Sequence, residues 1–148
     1  MWKYGLSLIL VSIILAGCKG APEISYTAPV VSEEWVIRMN QSGGIMGMHQ
    51  TIEADSNGNF LVVDLRTQQT ASGTLKESEL VRLRELAANM KFTPPKIPAI
   101  CADCFVYEIE IESGGRKMIV KADDVSLGDS GMEPLVDFLR NIMDRALQ

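Results

Sequence analysis

The stretch Phe105–Ala122, FVYEIEIESGGRKMIVKA, decides the fold. Phe105, Tyr107, Ile109 and Ile111 alternate with Val106, Glu108, Glu110 and Glu112, the period-two pattern of a half-buried strand. Ser113-Gly114-Gly115 is a hairpin turn. Beyond it Met118, Val120 and Ala122 alternate with Lys117, Ile119 and Lys121, so the lysines face the glutamates across the pair. Such pairs contribute a few tenths of a kcal/mol each. One apolar face and one charged face call for a sheet covered on a single side.

Working outward, the same pattern recurs upstream. Trp35, Ile37 and Met39 share one face of a strand and Arg38 and Asn40 the other. After a turn at Gln41-Ser42-Gly43-Gly44, Met48 to Glu53 reads as a second strand, with Met48 and Ile52 opposed to His49, Thr51 and Glu53. Asp55-Ser56-Asn57-Gly58-Asn59 is a turn signal, and Phe60 to Leu65 a third strand, which completes an antiparallel meander. Gln68 to Gly73 is polar and reads as loop. Thr74 with Glu77 fits a capping box ahead of Leu80, Leu83, Ala87 and Met90 at helical spacing, and Pro94, Pro95 and Pro98 impose an extended segment after it. A second capping box, Ser130 with Glu133, opens a helix carrying Leu135, Phe138, Leu139, Ile142 and Ala146 on one face. Pro134 is tolerated there because it lies in the first turn. The expectation is a two-layer α+β domain over residues 34–148, in the order βββαββα, with two amphipathic helices on about five antiparallel strands.

The N-terminus has a different character. Lys3 supplies a positive charge, Leu6 to Leu15 is an apolar run, and small Ala16-Gly17 precede Cys18. These are the parts of a secretory signal over residues 1–17. The apolar run is short for a membrane span, which needs roughly 20 residues. Leu15-Ala16-Gly17-Cys18 resembles the lipobox of bacterial lipoproteins, which implies cleavage before Cys18 and palmitate-type acyl chains on its thiol. Each buried CH₂ contributes about 0.8 kcal/mol, and two or more chains are needed for stable anchoring. The alternative is a secreted protein with a free thiol at its end. Lys19, in place of an aspartate, points by the same resemblance to the outer membrane if the source has one. Residues 18–33 then read as a lipidated cysteine and a proline-containing tether, whose fourteen residues after Cys18 reach about 45 to 50 Å when extended.

Removing Lys3 with the signal takes the formal charge of the 148-residue chain from −5 to −6. A mildly acidic domain lacks the basic stripe of a nucleic-acid binder. With Cys18 assigned to lipid, Cys101 and Cys104 remain as an even pair in a disulfide-permissive compartment.

Three readings of Cys101-Ala102-Asp103-Cys104 stay open. A thioredoxin-like redox pair needs a helix N-terminus behind it, but here Pro98 precedes the pair and a strand follows. A zinc site needs two further ligands, and His49 is the only histidine. A short structural disulfide stiffening the turn has no such requirement. His49 falls on the polar side of its strand, where a solvated histidine and a catalytic one look alike in sequence. Asp123, Asp124, Glu108, Glu110 and Glu112 form a carboxylate patch without a calcium-loop pattern. No nucleophile with its base, phosphate-cradling loop or metal set emerges, so the chain reads as a non-enzyme needing no cofactor. Ser42-Gly43-Gly44-Ile45-Met46-Gly47-Met48 sets glycines around large apolar residues. Either Ile45 and Met46 fold back onto the core, or they are offered to a partner's pocket.

Taken in order, Arg38 through Ser42-Gly43-Gly44-Ile45-Met46-Gly47, the leucine-rich Leu80 to Met90, Cys101-Ala102-Asp103-Cys104-Phe105-x-Tyr107-x-Ile109 and Pro134-Leu135-x-x-Phe138-Leu139 resemble emfourin and its relatives. The likeness covers roughly residues 34–147. Ile45 departs from it, standing where the family usually has an aromatic residue. The resemblance implies a protein inhibitor of thermolysin-like metallopeptidases, with Ser42, Gly43, Gly44, Ile45 and Met46 as the contact loop. Such enzymes favour a bulky apolar residue just after the scissile bond, a place Ile45 or Met46 would fill. The expected partners are the membrane, through lipid on Cys18, and a metallopeptidase or other envelope protein. The alternative occupation is a structural or assembly role in the envelope with no protease target.

Overall fold

The computed structural model describes residues 28–32, 34–95 and 101–148. The signal segment 1–17, Cys18, most of the 18–33 tether and the Pro98 part of the extended segment lie outside the described residues. No helix among the described residues is long and apolar enough to cross a membrane.

Six strands form one antiparallel sheet: β1 (Trp35–Gly43), β2 (Met48–Asp55), β3 (Asn59–Asp64), β4 (Gln69–Thr74), β5 (Phe105–Ser113) and β6 (Arg116–Asp123). Their spatial order is β4-β3-β2-β1-β5-β6, so β1 is an inner strand bonded on both sides. Among the described residues three helices accompany them: α1 (Glu77–Asn89), the single turn α2 (Leu127–Ser130) and α3 (Glu133–Ala146). The α+β architecture is the one expected, with one strand and the single-turn helix α2 more.

That strand is β4, in the stretch read as loop. Gln69–Thr74 has no apolar alternation because it is an edge strand, exposed at every position but half-buried Ala71. It is specified by unbroken register with β3, from Asn59↔Thr74 to Asp64↔Gln69. Phe60 lies over Gly73, where an added β-carbon would stand 2.7 Å from the ring, so the aromatic covers the bare glycine.

Both capping boxes also change. Thr74 ends β4, and the N-cap falls two residues later, at Lys76, whose N–H donates to the Glu79 carboxylate at 2.9 Å. At α3 the Ser130 hydroxyl accepts from the Met132 N–H at 3.0 Å, while Ser130 itself closes α2. Gly131 then turns the chain at φ 76°, its α-hydrogen side pressed against the Lys91 carbonyl.

Trp35, Ile37, Met39, Ile52, Tyr107, Ile109 and Ile111 point to the helix side and meet Leu83, Ala87, Leu135, Leu139 and Ile142. Among the described residues the fully buried apolar side chains all fall within residues 35–143, so the domain carries its own core. The other face is wet. Arg38 stands at its centre with Glu53 at 2.6 Å, Glu110 at 2.5 Å and Glu112 at 3.3 Å. Lys117 reaches Glu110 diagonally at 3.0 Å although its direct partner in register is Glu112. Glu53 and the other two carboxylates together raise the Arg38 pKa.

Candidate functional site

Antiparallel register brings four connections to one end of the sheet: residues 44–47, 65–68, 101–104 and 124–126. The first is the glycine-bracketed loop. Gly43, Gly44 and Gly47 all have positive φ, at 110°, 71° and 59°, and the Gly47 N–H donates to the Gly44 carbonyl at 2.9 Å. This turn leaves Ile45 87% and Met46 68% exposed, so the reading in which they fold onto the core does not hold. Large apolar side chains at such exposure carry an unmet hydrophobic driving force.

The loop is braced from the neighbouring strand. Gly43 pairs with Phe105, and a β-carbon at Gly43 would collide with the Cys104 carbonyl oxygen. The Gly44 N–H donates to that oxygen at 3.2 Å. At Gly44 a β-carbon would lie 2.8 Å from the Phe105 ring, so both glycines are needed for close approach as well as for φ. Ser42 sits opposite His49 and Val106 on the open face.

Asp124 fixes the peptide that does the bracing. Its Oδ2 accepts the Phe105 N–H at 2.7 Å and its own N–H donates to the Phe105 carbonyl at 3.1 Å. Its Oδ1 accepts the Tyr107 hydroxyl at 2.9 Å. The Cys104 C=O and Phe105 N–H belong to one peptide unit, so Asp124 on one side and Gly44 on the other hold its plane. Burial, with Asp124 alongside, pushes the Tyr107 phenol up to about 12. Sequence reasoning grouped Asp124 with surface carboxylates; the bond it makes is nineteen residues away in the chain and leaves no local signal.

The Cys101 and Cys104 sulfurs stand at disulfide-bonding distance, with their Cα atoms 5.4 Å apart. A strand, β5, begins at the next residue, and among the described residues no helix N-terminus adjoins the pair. Among the described residues no three His, Cys, Asp or Glu side chains gather as metal ligands. Of the other carboxylates in that patch, Glu110 and Glu112 pair with Arg38, Asp123 accepts the Ser126 hydroxyl at 2.7 Å, which lowers the Asp123 pKa, and Glu108 stands exposed on the open face.

Val125, 67% exposed, joins Ile45 and Met46 at this end. The segments 42–48, 101–106 and 122–127 contain Asp103, Asp123 and Asp124 and no lysine or arginine, while the 65–68 connection on the other side carries Arg66. The result is a braced apolar tip with an acidic margin on its β5–β6 side.

No known protein-family model matches the chain, and no curated protein matches it. The likeness to emfourin accordingly rests on the motifs quoted above.

The opposite end of the sheet is where the chain enters. The Ser32 N–H donates to Ser113 Oγ at 3.0 Å, and that hydroxyl donates to the Glu34 carbonyl at 3.1 Å. The entry to β1 is thus pinned beside the end of β5, one strand length from the tip. Nine residues of β1 separate them by about 26 Å.

Proposed function

We propose that this chain is a membrane-anchored lipoprotein whose domain docks a partner protein through Ile45 and Met46, and that the partner is an extracytoplasmic thermolysin-like metallopeptidase, which it inhibits. The observation that carries the reading is the exposure of these two side chains on a braced turn. Preorganisation lowers the ordering cost of binding. Inhibition by occupation needs no catalytic group on this side. The acidic margin favours a pocket with a basic rim. An anchor on Cys18 would enter at the Ser32 end and present the tip away from the bilayer.

Titrating residues 28–148 against a thermolysin-like peptidase, with peptide hydrolysis as readout, tests the occupation. The expected result is inhibition at micromolar concentration or below, lost in the Ile45→Asp, Met46→Asp double variant. Unslowed hydrolysis removes the protease as target and leaves the structural role in the envelope. The anchor is tested by intact mass of the chain extracted from membranes, where an unmodified Cys18 would sink it.

A further inference from the structure

We propose that β4 is a self-pairing edge: two copies of this chain join antiparallel along Gln69–Thr74 into one continuous sheet. The two edges of the sheet are built differently. On β6, Arg116, Lys117 and Lys121 line the strand, so a second copy laid against it would set like charges side by side. Lysines on an edge are a common defence against strand addition. β4 has no such device. QTASGT contains no charge and no proline, its register with β3 is unbroken by a bulge, and five of its six residues are exposed.

Side-chain chemistry selects a second copy as the occupant. Residues directly opposed in an antiparallel pair share a face, so a twofold axis falls on Ala71 or on Ser72. With the axis at Ala71, Thr70 faces the partner copy's Ser72; with it at Ser72, Thr70 faces Thr74. Either register opposes hydroxyl to hydroxyl on the open face, a favourable cross-strand pair. On the helix side it opposes only Gln69, Ala71 and Gly73, two of them small enough for the layers of both copies to approach. No like charges meet along the new seam. The twofold reverses strand direction, so the entry end of one copy lies beside the tip end of the other. The two Ile45–Met46 tips then point opposite ways, at opposite ends of the joined sheet.

Sedimentation velocity on residues 28–148 from 1 to 500 µM, alongside a Thr70→Lys, Ser72→Lys variant, tests the proposal. Both substituted side chains are exposed and leave the β3 pairing available, and a thermal melt verifies that the variant is folded. The expected result is a concentration-dependent dimer for the parent and a monomer for the variant. Amides of Gln69–Thr74 should also exchange more slowly at high concentration. A monomer throughout that range overturns self-pairing and leaves the edge to a foreign strand or to none. A dimer that survives the lysines, or one abolished by Ile45→Asp with Met46→Asp, also overturns it, because the contact is then elsewhere.

Discussion

Arg145, in the last turn of α3, places Nη1 2.7 Å from Oε1 of Glu79 in the first turn of α1. The other Glu79 oxygen accepts the Lys76 N–H at 2.9 Å, so one carboxylate both caps a helix and ties it to its neighbour. The capping bond, followed by Arg145, holds the Glu79 pKa below its ordinary 4.5. A carboxyl with a depressed folded pKa stabilises the fold above its unfolded pKa, and that contribution is lost as pH falls through the folded value. Glu79→Gln should therefore cost about 1 kcal/mol at pH 7. Urea titrations at pH 7 and pH 3 should show the gap to the parent closing at the lower pH. A gap of equal size at both would refute the linkage.

Arg38→Met leaves Glu53, Glu110 and Glu112 facing one another without their shared cation. The ion pairs are partly exposed, with the Arg38 side chain 39% accessible, and solvent discounts their strength. The expected loss is about 1 kcal/mol at low salt, shrinking in 1 M NaCl as repulsion among the carboxylates is screened. Melting temperatures at the two salt concentrations provide the check.

Gly43→Ala and Gly47→Ala separate two uses of glycine. Both positions have positive φ, but a β-carbon at Gly47 meets nothing within 4 Å, while one at Gly43 strikes the Cys104 carbonyl. Gly47→Ala should cost about 1 kcal/mol from conformation alone. Gly43→Ala should cost about 3 kcal/mol, because β1 and β5 must also part. Equal losses in chemical denaturation would contradict the close approach.

Asp124 matters more to the tip than the cysteine pair does. Asp124→Ala removes the acceptor for both Phe105 N–H and the buried Tyr107 hydroxyl, a loss of about 2 to 4 kcal/mol. It should also speed hydrogen exchange at the Gly44 amide. Converting Cys101 and Cys104 to serine opens a four-residue ring, worth at most about 2 kcal/mol. It should leave the Gly44 amide nearly as protected as before. Alkylation with and without reductant reports whether the pair is closed in protein purified without reductant, and free thiols there would count against a structural disulfide.

Ile45→Asp with Met46→Asp should change stability by no more than about 0.5 kcal/mol, since neither side chain is packed. A larger loss by calorimetry would place them in the core after all.

The strands with one apolar and one wet face were legible because burial imposes alternation directly on Trp35–Met39 and Phe105–Ile111. β4 was not, because an exposed edge of threonine, serine and glycine carries no burial signal. Its partner is chosen by β3 and by Phe60 over Gly73. The helix starts were displaced for a related reason. Thr74 and Ser130 have capping chemistry, but Thr74 was already committed to the sheet and Ser130 to α2. The glycine loop could be located in sequence, whereas its exposure depended on Phe105 and Cys104 filling the space beneath it, sixty residues away. Asp124 shows the limit most clearly: its role is a distance between segments.

Because β1 runs unbroken from the pinned entry beside Ser113 to the glycine turn, and is hydrogen-bonded along both edges, it is also the mechanical axis of the domain. A pull between the entry and an occupied tip would act along that strand. Both attachments lie at the ends of that one strand, so the load runs through its already extended covalent backbone, and the ladders to β2 and β5 need not carry it. A domain wired in this direction is suited to holding on under tension.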